Sequence, residues 1–571
     1  MSMQPSPFPP VPEATAAVAR AAFRRLPLPV RLRDAFGALY EDADFAALFP
    51  VRGQPALPPW RLALATVLQF LEGLSDRQAA DAVRARIDWK YALGLELSDA
   101  GFDYSVLSEF RARLVAGGVE QMLLDRLLAH AAARGLVKAR MRQRTDSTHV
   151  LAAVRVLNRI ELVGETLRAA LNALAAAAPD WLRAVAPPEW HQRYDHRVEE
   201  SRLPPSDAAR ERYLRAAGAD GAALLAAVDA PDAPRGLREL PAVDVLRRVW
   251  ARHYARNPGG AEASGAEGDD EDAGAVRLRT KGELARAPRG AESPYDADAG
   301  YHNKRSVAWV GYSVHLSETC APGAPRLVTH VDTTPAGRAE ATRVEAIHAA
   351  LAAKDLLPAE HLADGAYISA AHLARSAEAY GVTLFGPTKP GSAWQRREGG
   401  LTADAFRIDW ERERVTCPAG HESTRWRAYD DPGHGRHGRG TPPRDPFVRV
   451  GFAKRTCQAC PLQARCVRSP RTGRQLLLPS RADHAALAAA RARFASPEGR
   501  AAYAARAGIE GTVSQAVRAG GLRRARYRGL AKTHVQAVAT ATALNLARLD
   551  AWLAGRPLGP TRVSRFARLA A

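Results

Sequence analysis

Three acidic residues, far apart in the chain, sit in segments that suit metal-assisted chemistry on phosphate esters. They are Asp146 in Thr145-Asp146-Ser147-Thr148, Asp364 in Asp364-Gly365-Ala366-Tyr367, and Glu510 in Ala507-Gly508-Ile509-Glu510-Gly511-Thr512. Two-metal phosphoryl transfer needs acidic oxygens converging on a pair of cations about 3.5–4 Å apart. Mg²⁺ (or Mn²⁺) takes hard oxygen ligands and keeps several waters, so three well-placed carboxylates suffice. One ion would activate a water or a 3′-hydroxyl, and the other would stabilise the departing oxygen. No nucleophile motif asks for a covalent protein–DNA intermediate. Composition alone does not single these three out, because the chain holds 61 acidic residues and most acids serve as surface charge. Asp296, Asp298 and Asp332 also flank expected strands.

A second cluster is sulfur-based. Cys457-Gln458-Ala459-Cys460-Pro461 is followed by Cys466, and Cys417 lies upstream before Pro418. Four thiolates on β hairpins and knuckles can close a tetrahedral Zn²⁺ site, with His421 as a substitute ligand. The other reading is four reduced, unliganded thiols. Either way the role is structural, because a closed site has no open position for chemistry. Cys320 stands alone. Cysteines grouped late in a chain expected in the cytosol argue against a disulfide framework.

The formal net charge is +20, carried almost entirely by arginine. Guanidinium groups fork onto phosphate oxygens, so local arginine clusters suit a nucleic-acid backbone; the alternative is a solvated basic surface. The densest cluster follows Glu510: Arg518, Arg523, Arg524, Arg526, Tyr527, Arg528 and Lys532. An aromatic inside such a cluster can stack on an unpaired base while the arginines hold phosphates. A solvated helix face is the plainer account of the same residues. No stretch approaches the ~18 consecutive apolar residues of a membrane helix. The N-terminus lacks a signal pattern, so a cytoplasmic protein, nucleoid-associated when bound to DNA, is expected.

Positioning those groups requires an α/β chain with several parts. Residues 1–135 read as helices after a Pro-rich start, with an apolar run over 60–71 and a capping box at Ser75-Asp76-Arg77-Gln78. Helix, turn, helix with Arg77, Arg84, Arg86, Arg111 and Arg113 fits either DNA docking or a plain helical bundle. Residues 136–154 read as a strand carrying Asp146 near its end. Residues 155–300 are a helical block with an acidic flexible loop over about 258–275, including the run 267–272, read as solvated and not as a metal site. Residues 301–393 alternate strand and helix, which implies a sheet with parallel pairs and helices on its faces. Acids at the carboxyl ends of such strands sit where α/β sites form. Residues 394–480 look like an inserted β-rich subdomain, 481–555 are read as helical, and 556–571 as a tail.

The three acidic segments, in order, resemble bacterial insertion-sequence DDE transposases with an RNase H-like catalytic domain. The similarity is to the branch whose last acid lies in a Tyr-x2-Arg-x3-Glu-x6-Lys signature. Tyr503, Arg506 and Glu510 stand at those spacings, Thr145-Asp146-Ser147-Thr148 fits the first segment, and Tyr367 completes Asp-x2-Tyr at the second. Val517 stands where the lysine is expected, with Arg518 beside it as the residue to replace the phosphate contact. The resemblance implies an RNase H-like core formed by 136–154, 301–393 and the Glu510 helix. The helical and β-rich blocks would be insertions into it, and the N-terminal helices a DNA-binding domain. It further implies Asp146, Asp364 and Glu510 as catalytic metal ligands, and Tyr503 and Arg506 as DNA contacts. The implied partners are terminal inverted repeats and target DNA, bound by a homodimer. A catalytically inactive DNA-binding relative and an RNase H-like nuclease without strand transfer are the alternatives.

Overall fold

The computed structural model describes residues 2–199, 203–256, 276–304, 306–388, 394–429, 446–469, 471–556 and 569. The acidic loop 258–275, and all of the tail except Arg556 and Leu569, lie outside the described residues. Among the described residues no helix is long and apolar enough to cross a membrane.

The chain enters its main sheet at β1 (Gln143–Leu151) and leaves it for a helical block closed by the hairpin β2 (Tyr254–Arg256) and β3 (Val276–Leu278). It returns through β4 (Gly300–Lys304), β5 (Val307–Thr319), β6 (Val328–Pro335), β7 (Glu360–Ala363) and β8 (Thr383–Phe385). The order is β6–β5–β1–β7–β8, with β4 pairing the first residues of the long β5. β5 runs antiparallel to both β1 and β6, whereas β7 is parallel to β1 and β8 to β7. Antiparallel neighbours need only a tight turn, while parallel ones need a crossover. The helices Val344–Ala352 and Ala370–Tyr380 supply those crossovers. The result is one mixed sheet, antiparallel across β6, β5 and β1 and parallel across β1, β7 and β8.

The last helix, Leu530–Leu553, is buried along most of its length and packs between β6 and the N-terminal helix Pro59–Glu72. A helix apolar on all sides must be covered on all sides. In consequence the N-terminal helices and the sheet share one core, running from Trp60, Leu68 and Phe110 through Leu546 to Val314 and Leu316. The helical block has its own core around Leu167, Leu246 and Trp250. So does the β-rich block: the hairpin β9 (Arg407–Asp409) and β10 (Arg414–Thr416), and the antiparallel sheet β11 (Arg425–Tyr429), β12 (Phe447–Gly451) and β13 (Gln475–Pro479).

Most expected elements appear within a few residues of their expected bounds, including the Ser75–Gln78 capping box. Two expectations are corrected. Asp146 is the fourth of the nine residues of β1, not near its end, because β5 pairs along the whole strand. Residues 481–555 are not continuously helical: the helix Gly508–Arg518 stops near Gly520-Gly521. The chain then runs as a loop whose Arg524 bridges Leu151 at the end of β1.

Candidate active site

Successive residues of a strand point to opposite faces, and parallel strands in register bring like-directed side chains side by side. β1 and β7 pair Gln143 with His361, Arg144 with Leu362 and Thr145 with Ala363. Asp364 follows Ala363 directly at the carboxyl end of β7, and its charge acts on Asp146. Asp364 closes its own turn, accepting the Ala366 backbone N–H at 2.7 Å. The Asp146 carboxylate accepts the Ser147 N–H at 2.7 Å.

Glu510 arrives from the helix Gly508–Arg518, which docks on β1 through a buried ionic clamp. Glu318 on β5 is fully buried. It accepts from Arg144 Nε at 2.7 Å, Arg548 Nη1 at 3.0 Å and the Thr512 hydroxyl at 2.5 Å. Arg144 also donates to the Ala505 carbonyl just before the helix. A Cβ at position 508 would collide with that guanidinium, so Gly508 is what lets the helix come this close. The face of β1 that carries Arg144 thus anchors the helix, and Asp146, two residues on, faces its first turn.

Arg506 ties the acids together. Its Nη2 lies 2.5 Å from Asp146 Oδ2 and its Nη1 3.3 Å from Glu510 Oε1. Its charge interacts with Asp364 as well. Burial pushes the Asp146 carboxyl up to about 6, opposed by Arg506 and the Ser147 N–H and reinforced by the charges of Asp364 and Glu340. Glu510 stands at the rim, its side chain 67% exposed. Tyr503 packs its ring against Phe385 and Phe494, at centroid distances of 6.0 and 5.2 Å. Burial raises its hydroxyl above the ordinary phenol value, opposed by Arg506 and reinforced by the three acids. A cleft of about 370 Å³ opens here, lined by Asp146, Glu510, Val513, Ser514, Val517, Arg518 and Arg523. Val517 therefore presents an apolar wall where a lysine was expected, with Arg518 and Arg523 as the cationic lining.

The remaining basic residues divide. Arg518, Arg524, Arg528 and Lys532 are exposed. Arg523 donates to the His149 carbonyl at 2.7 Å, and Arg526 donates to the Leu74 carbonyl at 2.7 Å while lying over Phe70. Tyr527 packs against the core with the Arg111 guanidinium 4.8 Å from its ring centroid. The structure gives Tyr527 a packing role in place of the base-stacking one expected for it. The N-terminal arginines are also largely engaged within the fold. Arg86 pairs with Glu72 and Asp88, Arg111 with Asp76, Arg113 donates to the Leu48 carbonyl, and Arg77 lies over Tyr104. For these residues the bundle reading fits the geometry better than the docking one.

Glu340 escaped sequence reasoning. It opens a single 3₁₀ turn after β6, and nothing in its neighbourhood marks it. It accepts the Ser147 hydroxyl at 2.6 Å and pairs with Lys304 at 3.5 Å. Tyr367, fully buried, bonds His315 Nδ1 through its hydroxyl at 2.6 Å. Beneath Asp146, Thr145 joins Ser317 and His361 at 2.6 Å each, and His361 bonds His348 at 2.8 Å. The competing acids have structural partners. Asp332 is held by Arg343, while Asp296 and Asp298 accept the backbone N–H groups of Gly529 and Leu530 where the last helix begins.

The four late cysteines gather on the small β-rich core. Cys417, Cys457 and Cys466 pack against it. Burial raises the Cys466 thiol, Arg474 opposes the shift, and Cys457, Cys417 and Cys460 add to it. The Arg474 N–H points at Cys457 Sγ, 3.4 Å away. Cys320 is separate, its thiol pushed up to about 11 by burial. Among the described residues, no three His, Cys, Asp or Glu side chains stand arranged as a ready ligand set. The carboxylates nonetheless suit hard divalent cations, and the four thiols suit zinc. Asp146, part-buried beside Asp364 and Glu340, carries negative charge that a cation would relieve.

Comparison with known families bears on both halves of the chain. Residues 416–550 match the family described as Transposase DDE domain, a span holding Glu510 and the four late cysteines. Residues 23–113 match the family described as Transposase domain (DUF772). No curated protein and no solved structure matches the chain. The two matches support a DDE-type transposase. A transposase DDE domain implies a nuclease or transposase enzyme acting on DNA, in a family that generally uses divalent metal ions.

Proposed function

We propose that this chain is the transposase of an insertion sequence, binding terminal inverted repeats and catalysing strand cleavage and strand transfer with Asp146, Asp364 and Glu510. The observation that supports this reading is Arg506, which links Asp146 to Glu510, together with the parallel pairing of β1 and β7, the strands that carry Asp146 and lead into Asp364, whose charges act on each other. Mg²⁺ or Mn²⁺ held by these acids would activate the attacking oxygen and stabilise the departing one. Arg506 neutralises Asp146 and Glu510 and orients both at the cleft. The apolar wall of Val513 and Val517 limits water on one side. Arg518 and Arg523 hold the negative phosphodiester in the cleft, and Arg524, Arg528 and Lys532 extend that cationic track along the backbone. Two DNA ends must meet for transfer, so the working form is a homodimer on DNA. The four cysteines hold a structural Zn²⁺ that staples the β-rich block, whose core is too small to be rigid alone.

The test is incubation of the purified chain with Mg²⁺ or Mn²⁺ and duplex DNA bearing the element's ends. Nicking at the ends followed by joined products is expected. Binding without nicking would mark an inactive DNA-binding relative, and nicking without joined products a nuclease. For the sulfur site, the protein as purified should contain one zinc per chain by elemental analysis. Cys460→Ser should lower its melting temperature more than it alters cleavage, and a zinc-free protein of unchanged stability refutes that assignment.

A further inference from the structure

The sheet β11–β12–β13 has one face on its core and one in solvent. Val448, Val450, Leu476 and Leu478 point inward. By the two-residue period of a strand, Arg425, Arg427 and Tyr429 on β11, Phe447 and Arg449 on β12, and Leu477 on β13 point outward. Arg425, Arg427 and Arg449 are exposed, and Leu477 is 61% exposed. None of these outward positions is acidic, and among the described residues no carboxylate pairs with any of the three arginines.

Arg427 and Arg449 are direct cross-strand partners. Like charges facing each other on neighbouring strands cost stability. Here they are steadied by an aromatic rather than by an acid. Both guanidiniums lie over the Tyr429 ring, 5.2 and 5.5 Å from its centroid, and that ring stacks on Phe447 at 4.9 Å and 12°. Cation–π contact holds the guanidiniums in place while leaving their N–H groups unspent. A set of forked cations that no carboxylate among the described residues neutralises, on a flat face, is complementary to a polyanion. Because the rings are stacked on each other and covered by guanidinium, they are not offered to bases, which favours backbone contact over base stacking.

We propose that the outward face of β11–β12–β13 docks the phosphate backbone of duplex DNA, independently of sequence and outside the carboxylate cleft. The inference rests on the chain being a DNA-acting protein, and its test separates the two.

Binding of the full chain to a random-sequence duplex lacking the element's ends is measured by fluorescence anisotropy across a salt series. Each phosphate contact contributes about 0.9 to the slope of log K against log salt. The combined variant Arg425→Ala, Arg427→Ala, Arg449→Ala is expected to reduce that slope by about 2.7 and weaken binding at least roughly tenfold at moderate salt. The corresponding triple lysine variant should keep the wild-type slope. Arg427→Ala alone, which relieves the like-charge pair and so should fold at least as well, should lose about 0.9 of slope. A wild-type slope in both alanine variants overturns the proposal and leaves the transposase reading intact. A wild-type chain without measurable affinity for any duplex overturns both.

Discussion

Two arginine–carboxylate clusters share one sheet, and Arg144 in the first is only two residues from Asp146 in the second. In the first, Glu318 is fully buried and its oxygens are used up by Arg144, Arg548 and Thr512. In the second, Asp146 faces a cleft, shares Arg506 with an exposed Glu510, and is held near 6 by burial. The chemistry of the pairs is the same. What differs is access: Glu318 is sealed in the core between two arginines and a hydroxyl, whereas Asp146, with one oxygen on the Ser147 N–H and the other on an Arg506 shared with Glu510, lines an open cleft that a cation can enter. The Glu318 clamp holds the helix that brings Glu510 to the site.

If that contrast is right, removing an acid from each cluster should give opposite profiles. Asp146→Asn, Asp364→Asn or Glu510→Gln should each reduce cleavage of end-bearing DNA by roughly a thousandfold or more, the scale of losing several kcal/mol of transition-state stabilisation. Specific DNA binding should survive in all three, and robust nicking by any of them removes that residue from the site. Glu318→Gln should instead destabilise the fold by about 3–5 kcal/mol in urea unfolding, because two guanidiniums lose their buried partner. A stable variant that merely fails to cleave would erase the distinction.

The buried histidines beneath Asp146 sharpen it further. Burial lowers His348 from 6.5 to about 4. Below 6.5 the unfolded chain takes up a proton that the folded chain refuses until about pH 4. Stability is therefore full above 6.5 and is lost as pH falls through that window, by roughly 3 kcal/mol for this residue. His348→Gln should flatten the stability profile between pH 7 and 4.5, and an unchanged profile would show that another group governs it. For Asp146 the sign is reversed. A carboxyl raised from 3.8 to about 6 costs the fold stability as pH climbs through that range. In metal-free buffer at pH 8, Asp146→Asn should be more stable than wild type, by on the order of 1–2 kcal/mol. A less stable variant would mean the Arg506 pair outweighs burial. The smallest effect concerns the cleft wall: Val517→Lys should tighten binding of end-bearing DNA a few-fold at low salt, and an unchanged Kd would indicate that Arg518 and Arg523 already saturate that phosphate.

Local pattern made much of this legible. β-branched alternation around Asp146, the apolar run over 60–71, the Ser75–Gln78 capping box and the strand–helix alternation after residue 301 all reappear as elements. The three acids and Arg506 could be named because their neighbours carry recognisable spacings. Glu340, the Glu318 clamp and the His348–His361 pair could not, since each depends on which strands become neighbours. Tyr527 misled for the same reason: its arginine neighbours in sequence suggested a stacking platform, and its neighbour in space is Arg111 from the N-terminal helices.

The amino-acid order by itself determined roughly where most strands and helices form, though not where β1 ends or where the helical run after residue 481 breaks. Those depend on side-chain period, capping and turn chemistry within a few residues. Only the tertiary structure decided that β7 pairs parallel with β1 so that the charges of Asp146 and Asp364 meet, that Gly508 admits the Arg144 guanidinium, and which carboxylates are sealed in the core and which line the cleft. Strand register and burial are set by packing between segments hundreds of residues apart, and that packing fixes the local dielectric and the partners on which every one of these charges depends.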